Sequence, residues 1–344
     1  MQRFSKVAMC ALGATAGAMV MSSAALSQSA NNFYQGKTVR IVVALGTGGD
    51  YDNYARLAGR WINKHIPGNP TVIVQNMPGA GGVLAANHVY NVAAKDGTTI
   101  GALHANTTLA QITGAPNVEF DVRKLGWIGR TSSGGLNVQH SWHTSSARTF
   151  DDLLTKQYVV GSGGPTSDST ILPTVINQLM GGKMKILGGY AGTAETTLAL
   201  ERGEVDLAMQ NWEFIRARQQ DWLRDKKIHL IVQYGVTRHP ELPDVPSIME
   251  LSKTQEQRDV WTVFLGGSQI GYSLALTPGV PADRIAVMRT AFNAMAKDPG
   301  MKADTDKMNL PIEPLTGEQL QEIVDATFNV EASSIAKAKA ILGR

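Results

Sequence analysis

The chain has 344 residues, 43% of them hydrophobic and 18% charged, with 35 glycines and a single cysteine. Such a composition excludes disorder and collagen, and the length gives interior enough for two globular domains without disulfide staples. Lys and Arg number 32 against 29 Asp and Glu, with no basic block, so nucleic acid is not an expected partner.

First in chain order is a secretory signal. Arg3 and Lys6 precede an uncharged stretch over residues 7–30 that is diluted by Gly13, Thr15, Gly17, Ser22 and Ser23. Cleavage is expected after Ser27, at the small-x-small site Ala25-Leu26-Ser27, with an uncleaved anchor as the alternative. Cys10 would leave with residues 1–27, and a chain without thiols suits an oxidising compartment. No later apolar run reaches the ~18 residues of a membrane span.

Residues 38–45 are β-branched and apolar and end in a glycine cluster, which predicts a buried strand. Residues 52–66 place Tyr54, Ala55, Leu57, Ala58, Trp61 and Ile62 at helical spacing before Pro67-Gly68 stops them. The unit recurs as strand 71–74, Pro/Gly loop 76–82 and helix 83–92, with a further strand at 99–103. A second region repeats the architecture, with strands near 158–160, 185–187 and 206–209 and helices near 167–180, 193–202 and 212–225. Strands alternating with helices predict an α/β protein whose two mainly parallel sheets are flanked by helices. Glycine-bearing segments 127–138 and 261–276 read as two crossings, and helices 282–296 and 316–342 are expected to return to the first unit. The expected domains are therefore 28–132 plus 270–344, discontinuous, and 133–269, with a cleft between them.

Four small-residue loops follow predicted strands or open predicted helices: Gly46-Thr47-Gly48-Gly49-Asp50-Tyr51-Asp52, Pro78-Gly79-Ala80-Gly81-Gly82, Gly161-Ser162-Gly163-Gly164-Pro165-Thr166-Ser167 and Gly192-Thr193-Ala194-Glu195. At such places backbone N–H groups are free to take an anion, although ordinary turn chemistry explains any one loop alone. A dinucleotide fingerprint fails at Tyr51 and at Asn76, and a phosphate loop fails at Asn31, so no cofactor is expected. His140 and His143 lack further ligands and read as solvated loop histidines, not a metal site. Neither Val160-Gly161-Ser162-Gly163-Gly164 nor Gly266-Gly267-Ser268-Gln269-Ile270 completes a nucleophile elbow, and no catalytic residue is expected. Asp52 reads as a helix cap, His104 beside Asn106 as able to reach the cleft, and Trp212 equally as core or as a ligand wall.

Several of these motifs occur together and in order. Tyr34-x-x-Lys37-x-Val39-Arg40, Gly48-Gly49-x-x-Asp52-x-x-Ala55-Arg56, Val74-x-Asn76-x-Pro78-Gly79-Ala80-Gly81-Gly82, Asp96-Gly97-Thr98, Tyr190-x-Gly192, Gly203-Glu204-Val205-Asp206 and Pro240-x-Leu242-Pro243-Asp244-Val245-Pro246-Ser247 resemble the Bug family of periplasmic solute receptors. These are the binding proteins of tripartite tricarboxylate transporters. The resemblance spans about residues 34–320 and implies a Venus-flytrap fold of the type II-like periplasmic binding proteins, without enzyme activity.

It also implies a monomer that holds a small carboxylate, whether a di- or tricarboxylate or an aromatic acid, and passes it to membrane permease subunits. Carried over residue by residue, one pincer is Gly48, Gly49, Tyr51 and Asp52 with Ala80, Gly81 and Gly82, joined by His104 and Asn106. The facing side is Ser162, Gly163 and Thr166, with Thr193 and Glu195 near the rim and Trp212 behind. The chain departs from the family at Ala44-Leu45-Gly46-Thr47 and at Pro165-Thr166-Ser167-Asp168, so ligand identity rests on those loops. A ligand-sensing accessory of a signalling system and a periplasmic enzyme remain the alternatives.

Overall fold

The computed structural model describes residues 33–164, 167–190, 193–308 and 310–344, so the expected signal segment 1–27, Thr166 and Gly192 lie outside the described residues. Its first half follows the strand–loop–helix reading closely: β1 (Thr38–Val43), α1 (Asp50–Ile62), β2 (Thr71–Asn76), α2 (Val83–Asn87), β3 (Thr99–Ala102), α3 (Asn106–Ile112) and β4 (Gly126–Arg130). β1 alternates at its start, where Thr38 and Arg40 are exposed, and becomes buried on both faces at its end: Val39, Ile41 and Val43 enter one apolar cluster and Val42 another. Parallel neighbours flank it, with Val43 level with Asn76 on β2 and with Ala102 on β3. Three strands thus end together, and their following loops meet.

The second sheet takes β5 (Asn137–Trp142), then α4 (Phe150–Thr155), β6 (Val159–Gly161), α5 (Asp168–Met180), β7 (Lys185–Leu187), α6 (Thr193–Glu201), β8 (Leu207–Asn211), α7 (Trp212–Arg218), α8 (Gln220–Arg224) and β9 (Ile228–Gln233). After α9 (Ile248–Leu251) and α10 (Gln255–Ile270), the chain returns as β10 (Ser273–Leu276), α11 (Ala282–Ala296), α12 (Pro299–Met308), β11 (Leu315–Thr316), α13 (Gly317–Phe328) and α14 (Ala332–Ile341). The sheet orders are β11-β4-β10-β3-β1-β2 and β7-β6-β8-β5-β9. In the first, β1 to β4 share a direction against β10 and β11; in the second, β6 to β9 share one against β5. Order reverses at β1 in one sheet and at β6 in the other, the places where open α/β sheets bind ligands.

Four sequence expectations change. The glycine pair expected in an extended crossing is inside α10, where a Cβ on Gly266 would meet Thr327 Oγ1 at 2.5 Å and one on Gly267 the Ala105 carbonyl at 2.8 Å. These glycines are notches that let α13 and the start of α3 pack close, and the crossing shrinks to Gly271 and Tyr272. The helix expected over 316–342 is broken at Asn329, and α14 does not return to the first sheet: its Ala338 and Ile341 join the cluster that covers the second. Residues 212–225 split into α7 and α8 at Gln219. His140 is not a solvated loop residue but lies in β5 with 0% exposure, while His143 is exposed.

Candidate functional site

The loop after β1 is held from behind by one aspartate. Asp52 is 3% exposed, and its Oδ2 accepts from Gly48 N and from Arg56 Nε, both at 2.9 Å. Its Oδ1 accepts from Asn76 Nδ2 at 3.0 Å, and the same amide nitrogen donates to the Leu45 carbonyl. The Arg56 guanidinium, with the Gly48 and Asn76 donors, holds the Asp52 carboxyl down at about pH 2. The helix cap itself is Gly49, without a side-chain bond, so Asp52 ties the loop to the helix and to the end of β2 instead of capping or facing a ligand.

The loop after β2 is shaped by an unusual backbone run. Gly79, Ala80, Gly81 and Gly82 all have positive φ, and a Cβ on Gly82 would come within 2.7 Å of His104 Cβ. After β6, the Ser162 hydroxyl is buried among other hydroxyls, bonded to Thr170 Oγ1 and lying 3.2 Å from Ser169 Oγ and 3.4 Å from Ser167 Oγ. Gly163 N donates to Ser169 Oγ at 3.3 Å. Trp212 is core: it is 6% exposed, packs with Val138, Leu200 and Ile215, and donates Nε1 to Glu241 at 2.7 Å.

Two cavities lie where the loops face each other. The smaller, about 330 Å³, has Tyr51, His104, Ala105 and Asn106 from the first sheet's loops and Asn137, Ser167, Asp168 and Leu172 from the second, closed by Phe264, Ser268 and Tyr272. The larger, about 860 Å³, takes in Asp50, Ser132, Gly135, Thr193, Asn211 and Glu213 and shares Gly134 and Tyr272 with it. Aromatic rings run between them: Tyr54 stacks on Tyr272 at 4.2 Å, Tyr272 meets Tyr51 edge-on at 4.7 Å, and Tyr51 lies 5.0 Å from His104. A third depression, about 650 Å³ along α1 and β2, is walled by Arg60, Trp61, Lys64 and Val72 and lies outside this meeting of loops.

Of the residues singled out from sequence, Tyr51, His104 and Asn106 line the smaller cavity and Thr193 the larger. Gly48, Gly49, Ala80, Gly81, Gly82, Ser162, Gly163 and Glu195 are in neither wall, Asp52 and Trp212 are turned inward, and Thr166 is outside the described residues. The sequence reading missed Asn137, Asp168, Glu213 and Tyr272. Asp168 was visible as a departure at the end of a glycine loop, whereas Tyr272 sat in a segment read only as a crossing.

The two crossings are hydrogen-bonded to each other, Thr131 N to the Tyr272 carbonyl at 3.1 Å and Tyr272 N to that of Ser132 at 3.0 Å, and Gly134 N adds a bond to the Ser268 carbonyl in the last turn of α10 at 3.1 Å. Gly271 (φ +52) and Gly135 (φ +82) stand where a Cβ would overlap the Ser132 carbonyl and the Asn211 side chain. Two sheets with facing loops, joined by a paired crossing, have the geometry of a protein that closes on a solute. The sequence model described as Tripartite tricarboxylate transporter family receptor matches residues 56–271.

The chain belongs to this family. Members are solute-binding receptors of the periplasm and not enzymes. Among solved structures, the receptor is similar to a TctC solute binding protein from Polaromonas without ligand, at 19% identity over 90% of this chain and 99% of that one, with a TM-score of 0.69. BugD is similar at 20% identity over 90% and 98%, TM-score 0.59, and MatC from Rhodopseudomonas palustris with bound malate at 22% over 89% and 99%, TM-score 0.55. These likenesses give the receptor the two-domain α/β fold of periplasmic binding proteins. No curated protein matches its sequence.

Electrostatically, the receptor's cleft is one-sided. Desolvation pushes the Asp168 carboxyl up, opposed by a 3.1 Å hydrogen bond from Asn137 Nδ2; solvent reaches this side chain, but protein crowds it on the cleft side. Burial also raises Glu213, and nearby Glu313 adds to the rise. His104 is pushed down by burial and is neutral at pH 7; its Nδ1 accepts from Asn106 N at 3.3 Å, which leaves Nε2 as the N–H donor. Glu213, His239 and Glu313 bring one ligand atom each within 4.8 Å of one another, two carboxylates and one imidazole beside the larger cavity.

Proposed function

We propose that the receptor captures a small carboxylate-bearing solute in this cleft and delivers it to the membrane permease subunits of a tripartite tricarboxylate-type transporter. The observation that carries the reading is the 330 Å³ cavity walled from both sheets beside a paired crossing. Its size suits a small acid. MatC holds malate, and another similar structure, from R. palustris, holds adipate. In this reading residues 1–27 are a cleaved signal, the exported chain is a monomer, and the domains divide as 28–132 plus 270–344 and 133–269, with α14 seated across the division.

Solute bound between the lobes contacts both only when they approach, so binding shifts the population toward the closed form. Tyr51, His104 and Asn106 act from one wall and Asp168 from the other, while the amides of Gly49 and Gly81 are brought in as the lobes close; those of Gly48 and Gly82 are spent on Asp52 and on the Gly79 carbonyl and shape the loops. A thermal-shift panel of carboxylates tests this, since a ligand at about 100 times its Kd adds about 2.7 kcal/mol of stability. The expected result is a clear shift with one acid that is recovered chemically unchanged. No shift with any acid removes the carboxylate reading, and recovery of an altered compound removes the receptor reading.

A further inference from the structure

The walls of both cavities hold carboxylates and, among the described residues, no lysine or arginine. Asp168 stands in the smaller cavity and Asp50 and Glu213 in the larger. Several acids elsewhere in this fold are neutralised by short cationic contacts, as Asp52 is by Arg56 at 2.9 Å and Glu241 by Arg216 at 2.6 Å. Among the described residues Asp168 has no such cation, and its one hydrogen-bond partner is the Asn137 amide at 3.1 Å. A ligand with negative charge at both ends would place one of them against this carboxylate, a repulsion that grows as closure of the lobes removes the water now reaching Asp168.

The opposite wall has the complementary chemistry. His104 offers its Nε2–H, and Tyr51, whose hydroxyl already accepts from Ala105 N at 2.9 Å, keeps its own proton to donate. The rings of Tyr51, Tyr272 and Phe264 line the rest of the cavity and give apolar cover to the carbon skeleton between the two charged ends. From the donors on one wall and the lone acid on the other we infer that the solute is a zwitterion, an amino-substituted carboxylic acid. Its carboxylate meets the His104 side and its ammonium meets Asp168, which makes Asp168 the residue that selects the ligand class.

This inference rests on the carboxylate-receptor reading, and paired ligands separate the two. Isothermal titration compares acids that differ only in one amino group, glutarate with glutamate and adipate with 2-aminoadipate, on the wild-type receptor, Asp168→Asn and Asp168→Ser. The wild type is expected to prefer the aminated member of a pair by tenfold or more. Both variants should bring the ratio to one or reverse it, a change that loss of a merely structural Asn137–Asp168 bond would not produce.

Equal or tighter binding of the unaminated acids by the wild type, or an unchanged ratio in variants shown by thermal melting to be folded, overturns the zwitterion and leaves the carboxylate reading standing. Binding of 1,5-diaminopentane with no acid bound overturns both, and binding of none of these probes overturns the zwitterion while the carboxylate panel decides the wider reading.

Discussion

The loop after β1 and the loop after β6 hold the same position in their sheets, each leading from the strand where the order reverses into a helix, and each has an aspartate within that helix's first turn. Asp52 is turned inward and is met by Arg56, Gly48 and Asn76, so its carboxyl stays ionised down to about pH 2. Asp168 faces the cleft with one amide for company, and desolvation moves its carboxyl the other way. One residue type therefore serves as a brace in the first loop and as an unneutralised charge in the second. The neighbours decide which: a cation four residues along the helix spends Asp52 on the fold, and its absence leaves Asp168 for the solute.

The comparison depends on the crossing that sets the two loops face to face, and the largest effect should come from breaking it. Gly271→Ala puts a side chain on a left-handed backbone against the Ser132 carbonyl, with an expected cost of about 3 kcal/mol or more by urea unfolding. A loss below about 1 kcal/mol would mean that the crossing rebuilds easily.

Next, the two aspartates should respond with opposite signs. Asp52→Ala strands the Gly48 and Asn76 donors and is expected to cost about 2 kcal/mol. Asp52's folded pKa is depressed, so its contribution is present above its ordinary 3.8 and is lost as pH falls through about 2. The pKa of Asp168 is raised, so its ionised form weakens the fold, and Asp168→Asn should raise the ligand-free melting temperature at neutral pH. Equal destabilisation by both substitutions would erase the contrast.

A smaller, graded effect comes from His140, buried in β5 with its Nε2 unpartnered and its pKa pushed down by burial to about 4. Below its ordinary 6.5 the unfolded chain takes up the proton first, so stability should fall by up to about 1.4 kcal/mol per pH unit toward 4. His140→Phe is expected to flatten that part of the pH profile, and an unaltered slope would assign the acid sensitivity elsewhere. The smallest change is Trp212→Phe, which removes the bond to Glu241 at a cost of about 1 kcal/mol. Solute affinity should stay the same; a large drop would return Trp212 to the ligand wall.

Sequence reading succeeded where local pattern and structure coincide. The β-branched run of β1 and the spacing of α1 marked both elements to within a few residues, since periodicity and glycine stops are local signals. β5 was harder to see because Gln139, His140 and Ser141 are buried despite their polarity, their backbones paired with β8 and β9 and the Gln139 amide bonded to the Ala208 carbonyl 69 residues away. Gly266-Gly267 looked like a turn because a packing notch in a helix has the same letters. The glycine loops located the facing ends of the sheets, but which side chains line the space depends on how the sheets face each other: Tyr272 lies 222 residues from Asp50, its hydrogen-bond partner at 3.4 Å.

Small-angle scattering of the receptor, free and saturated with the acid that gives the largest thermal shift, tests the central claim most directly. Closure of the two sheets' loops on a solute predicts a smaller radius of gyration in the saturated protein, and Gly135→Ala, aimed at the paired crossing, should reduce that contraction. Saturated binding with an unchanged radius would contradict capture between the lobes and place the site elsewhere.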